Sequence, residues 1–146
     1  MKKGSFTREI FIAAPREKVV GLATSFSQHD VLHPFIIHVE EATARPPALR
    51  RYAITDRLAM GPFRFKIKYS ADILKLTPDE AITEVWQSPG VHIINHMFFN
   101  IENGGTRLRE EYIVEAPNLL FGYTFKQAKL AHEELLQRLK EAAESN

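Results

Sequence analysis

Four ionisable residues, Asp56, Glu84, Glu110 and His132, are the candidates for proton-transfer chemistry in this sequence. The hydrophobic pattern places each of them on the inner face of a predicted strand or helix. A buried carboxylate without a partner costs several kcal/mol or titrates at a higher pH. An inward carboxylate therefore indicates a hydrogen-bonding partner, a water molecule or a bound ligand. Two alternatives stay open: a carboxylate near a strand end could reach solvent, and His132 could bond a strand residue at the helix margin.

The other histidines do not predict a metal site. His92 and His96 share a strand face but stand about 13 Å apart at ~3.3 Å per residue, too far to hold one ion together. His29 and His33 have the spacing of a helical chelate, yet no third ligand accompanies them. We expect solvated or capping roles for these two residues.

Motifs of several enzyme classes are missing from the sequence. It contains no GxSxG elbow, no phosphate-binding glycine loop and no dinucleotide fingerprint. The absence of cysteine excludes disulfides, thiolate metal sites and a catalytic thiol. Hydrolase, kinase and dehydrogenase activities are therefore disfavoured, and no cofactor is predicted.

Periodicity and turn residues predict the elements that must position the four candidates. A first strand over Phe6–Ala13 enters a short helix over Arg16–Ala23, since Pro15 favours a helix start. A second short helix is predicted over Ser27–Leu32. Six further strands follow, over Ile36–Glu41, Arg50–Leu58, Phe63–Leu74, Glu80–Ser88, Val91–Ile101 and Thr106–Glu115.

A long amphipathic helix is predicted after Pro117, where the hydrophobic period changes from two to about 3.6 residues. Its apolar stripe consists of Phe121, Phe125, Ala128, His132, Leu135 and Leu139. The opposite face is charged, which is typical of a solvated surface. The order of elements predicts an α+β fold, in which this helix rests on the concave face of a curved seven-stranded antiparallel sheet.

Alternation along the strands predicts which side chains face the helix. On the strand that begins at Phe63, odd positions are apolar and even positions are polar or charged, so the odd ones should face inward. A turn around Gly61 would pair Tyr52 with Tyr69. The same pairing would turn Asp56 inward, beside Phe65.

The next two hairpins extend this assignment. A tight two-residue turn at Pro89 and Gly90 would place Glu84 and Trp86 inward, with Glu84 opposite Asn95. A one-residue bulge in a hairpin would reverse the assignments downstream. The turn at residues 103–105 would bring one set of inward side chains onto a common face: Asn95, Met97, Phe99, Leu108, Glu110 and Tyr112.

The predicted ligand-binding residues all take an inward position on a strand or on the long helix. They are Tyr52, Asp56, Tyr69, Glu84, Trp86, Asn95, Met97, Phe99, Glu110, Tyr112, Phe125 and His132. A mostly aromatic and aliphatic lining with a few polar groups is typical of small-molecule cavities. The tyrosines and the tryptophan could equally be ordinary core residues, so this set is a hypothesis about a cavity lining.

Two segments resemble the START-like (SRPBCC) superfamily, which includes polyketide cyclases and dehydrases, coenzyme Q-binding proteins and birch-pollen-type allergens. Residues 12–19, Ile-Ala-Ala-Pro-Arg-Glu-Lys-Val, look like its strand-to-helix entry. Residues 104–108, Gly-Gly-Thr-Arg-Leu, followed by Ala116 and Pro117, look like the approach to its last helix. The resemblance spans nearly the whole chain and implies a helix-grip fold that encloses a cavity. It implies no common set of active-site residues.

Length and composition predict one domain over residues 1–146, since 45% of the residues are hydrophobic and 25% are charged. The formal charge of +1 gives the molecule no strong field towards nucleic acid or membranes. The N-terminal residues lead into a strand and no apolar run reaches bilayer length, so a soluble, cytoplasmic protein is expected. A monomer and a homodimer both remain open.

A basic patch is predicted on the outer face of two neighbouring strands, formed by Arg51, Arg57, Arg64, Lys66 and Lys68. The simpler interpretation is a solvated sheet face, and the alternative is docking to an anionic membrane or nucleic acid. No exposed aromatic residues interleave with these cations, so nucleic-acid binding is not expected. Transient contact with an anionic membrane stays open.

These patterns favour a protein that binds or carries a small, largely apolar molecule, such as a lipid, quinone, polyketide or aromatic compound, in an internal cavity. A cyclase- or dehydrase-type enzyme acting on a polyketide-like or aromatic substrate is the alternative. A basic-face adaptor is the second alternative. Catalysis is left open, because a carrier and an enzyme would have similarly lined cavities.

Overall fold

The computed structural model describes residues 1–145, apart from the side chains of Gln28 and Asp30. The strands are β1 (Lys2–Ile12), β2 (Ile36–Ala42), β3 (Arg50–Met60), β4 (Phe63–Thr77), β5 (Glu80–Gln87), β6 (Val91–Glu102) and β7 (Gly105–Ala116). The helices are α1 (Arg16–Thr24), α2 (His29–Leu32) and α3 (Asn118–Glu144), and a 3-10 turn over Phe26–Gln28 precedes α2.

Within the described range the seven strands form one antiparallel sheet, in the order β1-β7-β6-β5-β4-β3-β2. Each strand from β2 to β6 pairs with the strand that follows it in the chain, and β1 closes onto β7. The short helices lie between β1 and β2. This topology confirms the predicted α+β architecture of a curved seven-stranded antiparallel sheet and a long C-terminal helix.

α3 packs on the sheet through one apolar stripe, as the 3.6-residue period predicts. Its buried residues are Phe121, Ala131, His132, Leu135, Leu136, Leu139 and Ala143. Glu133, Glu134 and Gln137 on the other face are exposed. Throughout residues 1–145, none of the helices combines the length and the apolar character that crossing a bilayer demands.

Three of the hairpins have two-residue turns, and the sequences of two of these suit the turn types that hairpins favour. Asn103 and Gly104 both have positive φ angles, 47° and 76°, which is the pattern of a type I′ turn. Gly61 has a φ of 59° and precedes Pro62, so only the first turn position is left-handed, as in a type II′ turn. Both turn types match the right-handed twist of the strands that they join.

The β3–β4 pairing keeps the predicted faces but corrects the predicted partners. Because the turn at Gly61 is only two residues long, Tyr52 lies opposite Ala71 and Ile54 lies opposite Tyr69. Asp56 lies opposite Ile67, not beside Phe65. The pairing is displaced by two residues, and an even displacement leaves each side chain on the same face of the sheet.

The β5–β6 turn overturns one part of the predicted inner face. Gln87 pairs with Val91, so the turn contains three residues, and Trp86 lies opposite His92. Gly90, the last residue of this turn, has a φ of 75°, and a left-handed residue at the third position is typical of three-residue hairpin loops. The extra residue reverses the parity of β5, so Glu84 and Trp86 point away from α3.

The buried apolar residues form three clusters. One joins α1 and the C-terminal half of α3 to β6 and β7, and includes Phe99 and Leu108. A second surrounds Phe6 and Phe121, near the N-terminal half of α3. A third lies on β3 and β4, around Tyr52 and Ile73. Side chains from all three clusters border one internal space beneath α3.

Candidate functional site

A cavity of about 330 Å³ lies between α3 and the concave face of the sheet. Strands β3 to β7 supply one wall and α3 supplies the other. One end is lined by Ala23, Thr24, Phe26, His29, His33, Phe35 and Ile36. Most of the lining side chains are apolar. The exposed lining residues are Met60 at the end of β3 and Ser88 and Pro89 in the β5–β6 turn, so the cavity opens to solvent there, beside the first turns of α3.

Half of the predicted ligand-binding residues line this cavity: Asp56, Tyr69, Asn95, Met97, Tyr112 and His132. They come from β3, β4, β6, β7 and α3. The polar members are close to one another, since the Tyr112 and His132 rings are 4.2 Å apart and the Tyr69 hydroxyl bonds Asp56. The sheet and the helix therefore concentrate the polar groups at one place in a mostly apolar space.

Four other predicted residues do not line the cavity, which corrects their assignment. Tyr52, 2% exposed, packs behind the lining residue Phe26, with ring centroids 5.3 Å apart. Phe99 is fully buried in the first core cluster, and Phe125 packs on Phe6. Glu110 lies behind the lining and contacts it. A place on the inner face of the sheet is thus necessary for lining the cavity but not sufficient, because part of that face packs directly against helices.

Glu84 and Trp86 were predicted to face inward, and this prediction is wrong. Trp86 is 55% exposed and stacks on His92, with ring centroids 3.9 Å apart. Glu84 Oε2 lies 2.8 Å from His92 Nε2 on the same outer surface. The three-residue turn at Pro89 is the cause, and it brings Ala81, Thr83 and Val85 into the cavity lining instead.

Glu110 is the buried centre of a hydrogen-bonded network. It is fully buried, and its Oε2 accepts a hydrogen bond from Asn95 Nδ2 at 3.1 Å. His132 Nδ1 lies 2.9 Å and 3.0 Å from its two carboxylate oxygens. Because Nδ1 faces the carboxylate, Nε2 is the ring nitrogen of His132 that remains for the cavity.

Asp56 and Tyr69 form a second polar pair. The Tyr69 hydroxyl donates to Asp56 Oδ1 at 2.9 Å. Burial raises the pKa of Asp56 to about 6, although the bond from Tyr69 and the nearby His132 act in the opposite direction. Burial also raises the pKa of Tyr69 well above its usual range, with a further contribution from Asp56. Asp56 can therefore gain or lose a proton near neutral pH while Tyr69 remains a donor.

His33 and Tyr112 are two further polar residues of the lining. His33 Nδ1 accepts a hydrogen bond from the backbone N–H of Phe35 at 3.1 Å. Burial, followed by the proximity of His132, lowers the pKa of His33 well below its usual value. The His33 ring is therefore neutral at neutral pH. Burial raises the pKa of Tyr112, so its hydroxyl keeps its proton.

Comparison with known proteins gives a match at the level of structure. No family model matches the chain, and no curated protein matches its sequence at a significant level. The di-domain ARO/CYC BexL of the BE-7585A biosynthetic pathway superposes with a TM-score of 0.78 at 14% identity, covering 99% of this chain and 51% of that one. The chain thus spans about half the length of this di-domain protein.

Two further solved structures match over nearly their full length. Ara h 8.0201 has a TM-score of 0.75 at 12% identity, with 99% of this chain and 100% of that chain covered. A START superfamily protein from Mycobacterium smegmatis has a TM-score of 0.74 at 14% identity, with 96% and 97% covered. The fold is START-like. Identities this low establish the fold and leave the activity to be argued from the cavity.

Sequence reasoning missed several residues that line the START-like cavity. His29 and His33 were expected to be solvated or capping, yet both line it. They belong to the short α2 region, where no hydrophobic period is long enough to indicate a face. Thr83 and Val85 were assigned to the wrong face with the rest of β5. A three-residue loop over residues 88–90, ending on Gly90, would have placed those two correctly, whereas no comparable signal marks His33.

Three histidines and one carboxylate, Asp56, line the cavity, yet these groups do not converge as metal ligands do. Among the side chains that the structure describes, no three His, Asp or Glu residues are arranged to hold a metal ion. Glu110 already bonds both Asn95 and His132, and Asp56 bonds Tyr69. The arrangement is suited to hydrogen bonding and proton transfer.

The buried carboxyl of Asp56 should make the free energy of unfolding depend on pH. Its folded-state pKa of about 6 lies above the ~3.9 of an exposed aspartate. The unfolded chain therefore releases this proton first, and rising pH destabilises the fold between these two values. For the parent we expect the free energy of unfolding to fall by roughly 1–3 kcal/mol between pH 4 and pH 7. Asp56→Asn should abolish this fall, because Asn does not ionise and can still accept a hydrogen bond from Tyr69.

Urea denaturation of the parent and the variant across this pH range measures that difference. Asp79→Asn is the matched control, because Asp79 is exposed and the hydroxyl of Thr77 lowers its pKa. Its contribution has the opposite sign, being present above the unfolded-state pKa and lost as the pH falls. Parallel pH profiles for the parent and Asp56→Asn would show that Asp56 ionises without a burial cost.

Proposed function

We propose that this protein binds a small, largely apolar molecule, such as a lipid, quinone, polyketide or aromatic compound, in the cavity beneath α3. The observation that carries the proposal is the cavity itself: about 330 Å³ of space with a mostly apolar lining and a few polar groups gathered in it. This volume falls within the ~300–1,000 Å³ usual for ligand sites. Burial of the apolar body would supply most of the affinity.

The polar groups would orient the bound molecule. We assign this role to Asp56, Tyr69, Asn95, Tyr112 and His132, with Glu110 acting through Asn95 and His132. A polar ligand group near them would replace hydrogen bonds that it loses on leaving water. The end of β3 at Met60 and the turn that contains Pro89 would form the entrance, since their exposed side chains stand between the cavity and solvent.

The test is an equilibrium titration with N-phenyl-1-naphthylamine, an apolar dye whose fluorescence increases in apolar surroundings. We expect saturable binding of one dye per chain, in competition with other small aromatic molecules. Absence of saturable binding to the folded protein, across dyes of this size, would contradict the proposal.

A second candidate is an enzyme of the cyclase or dehydrase type, and the Glu110–His132 pair favours it. A carboxylate that holds Nδ1 of an imidazole and leaves Nε2 to a substrate is an arrangement used in general-base catalysis. Two similar solved structures are named as ARO/CYC di-domain proteins. In this function His132 Nε2 would take a proton from a bound substrate, and Asp56 would be a second acid or base.

The basic patch is a third candidate site, and it is chemically separate from the cavity. Arg51 is paired with Asp72 through bonds of 2.7 Å and 2.8 Å. Arg57, Arg64, Lys66 and Lys68 form no ion pair with any side chain in the described range. Transient contact with an anionic membrane would use these four cations.

Reversing two of these charges should leave ligand binding intact. Lys66 and Lys68 are exposed on the outer face of β4, so Lys66→Glu with Lys68→Glu should change the dye affinity by less than about twofold, because solvent and salt screen surface charges. The same dye titration measures this. If the parent bound anionic vesicles tightly at low salt and the double variant did not, the adaptor function would take first place.

A further inference from the structure

Asp56 is the acidic group of the cavity that a ligand can reach. Among the described residues that line the cavity, it is the one Asp or Glu, and none is Lys or Arg. Its Oδ1 accepts a hydrogen bond from Tyr69. Its Oδ2 accepts none from the described residues, yet it is not sealed from solvent as Asn95 Oδ1 and Glu110 Oε1 are. Because Asp56 lines the cavity from the inner face of β3, this oxygen is left for a molecule in the cavity.

The carboxyl of Asp56 is charged above neutral pH although it is buried. Burial raises its pKa to about 6, so the ionised form is favoured at pH 7.5. A raised pKa means that the surroundings do not fully replace the water that stabilises the charge in solution. A cation placed beside Asp56 would lower the pKa again. By linkage, the ionised carboxylate would favour binding of that cation.

The side chains around Asp56 do not supply this cation. Tyr69 and Tyr112 stay neutral, because burial raises the pKa of each and the charge of Asp56 adds to both shifts. His132 also acts on Asp56, but its Nδ1 lies 2.9 Å from a carboxylate oxygen of Glu110. A positive charge on that ring would be offset by Glu110. A cation beside Asp56 would meet aromatic rings as well, and these attract cations through their faces.

We propose that Asp56 is the specificity-determining residue of the cavity, which takes an apolar molecule bearing a protonated amine and discriminates against an apolar carboxylate. This deepens the proposed function and rests on it. The ammonium group would donate to Asp56 Oδ2 and balance its charge, while the apolar body fills the remaining space.

The other common polar groups fit Asp56 less well. A ligand carboxylate would meet a like charge in surroundings of low dielectric constant, and the described lining offers no Lys or Arg to pair with it. A hydroxyl would donate to Oδ2 without balancing the charge. The expected order of affinity is therefore amine, alcohol, carboxylate.

The experiment compares three probes of one shape in the parent protein: 2-naphthylmethylamine, 2-naphthylmethanol and 2-naphthoate. Each is titrated in competition with N-phenyl-1-naphthylamine at pH 7.5, where the amine is protonated and the acid is ionised. We expect the amine to bind about tenfold more tightly than the alcohol, the scale of a hydrogen bond to a charged group. We expect the carboxylate to bind about tenfold more weakly than the alcohol.

Asp56→Asn tests the assignment to this residue, because it removes the charge, keeps the shape and can still accept from Tyr69. It should bring both affinity ratios to within about threefold of one. Asp79→Asn is the matched control, since it changes the net charge equally at an exposed position outside the cavity lining and should keep the parent ratios. Asp56→Thr is the second variant if Asp56→Asn does not fold.

The outcomes separate the two proposals. Equal binding of the three probes, or tightest binding of the alcohol or the carboxylate, overturns amine recognition and leaves small-molecule binding in place, since the dye still binds. Parent ratios retained by a folded Asp56 variant would assign the preference to another group and overturn this inference. Failure of the dye and of every probe to bind overturns both proposals.

Discussion

Replacing Ala128 with Trp is expected to weaken binding of N-phenyl-1-naphthylamine more than about 100-fold, equivalent to roughly 3 kcal/mol. Ala128 is half-buried on α3 and lines the cavity. The largest natural side chain at this position would occupy space that the account assigns to the ligand. Because that space is empty of protein atoms, the strain of adding bulk should be smaller than in a packed core.

Glu134→Trp is the matched control for this variant. Glu134 is exposed on the opposite face of the same helix and pairs only with Arg138, four residues further along. Its replacement should leave dye binding unchanged, since exposed ion pairs contribute little to stability. Thermal denaturation should show all three proteins folded. Undiminished dye binding by a folded Ala128→Trp variant would place the dye elsewhere and contradict the cavity site.

Changes at Glu110 and His132 should separate a carrier from an enzyme. Glu110→Gln and His132→Gln keep the approximate shape of each side chain but disturb the bond that leaves His132 Nε2 for the cavity. For a carrier we expect ligand affinity to change by roughly 1–2 kcal/mol, the scale of one lost polar contact. For an enzyme, loss of a general acid or base typically reduces the rate by about 10²–10⁴.

The measurement compares binding and chemical conversion of an identified ligand by the parent and by each variant. Conversion by the parent that collapses in one variant while binding persists would establish the enzyme function. Absence of conversion by the parent, with modest affinity changes in both variants, would support the carrier function. Glu110→Leu is a more disruptive change, because it leaves Asn95 Nδ2 and His132 Nδ1 without their acceptor. We expect it to destabilise the fold by about 3–5 kcal/mol.

Much of the fold could be predicted from two local signals. The alternation along β4 identifies the inner face of the sheet, because each strand residue points to the side opposite its neighbours. Asn103 and Gly104 identify the β6–β7 hairpin, because only residues that tolerate a positive φ suit a type I′ turn. Together these signals placed Asn95, Met97 and Tyr112 on the cavity side, where the structure has them.

The error at β5 arose from reading Pro89 and Gly90 as an ordinary two-residue turn. A three-residue loop that ends on a left-handed glycine, as this one does at Gly90, is also a common hairpin connection. The proline did not decide between the two lengths, because Pro78 begins the two-residue turn between β4 and β5. With the three-residue loop, Glu84 and Trp86 would have been assigned to solvent. The remaining uncertainty about strand faces was smaller, because a displacement by two residues at β3–β4 preserves the parity.

The boundary between cavity and packed core could not be predicted from the sequence. Tyr52, Phe99 and Phe125 satisfy the inward pattern, as Tyr69 and Met97 do, yet only the last two reach the open space. The difference depends on how far α3 stands from each part of the sheet, and that distance is set by many contacts at once. The place of His33 in the lining could not be predicted either, since it depends on how the chain leaves α2.

The central claim, that the cavity holds a small apolar molecule, is tested most directly by native mass spectrometry of the protein purified gently from its own host. The account predicts one small-molecule adduct per chain on the parent protein, absent from the Ala128→Trp variant purified in parallel. Loss of the adduct under mild collisional activation would identify it as non-covalent. A bare chain in every parent preparation, or the same adduct on the Ala128→Trp variant, would contradict the claim.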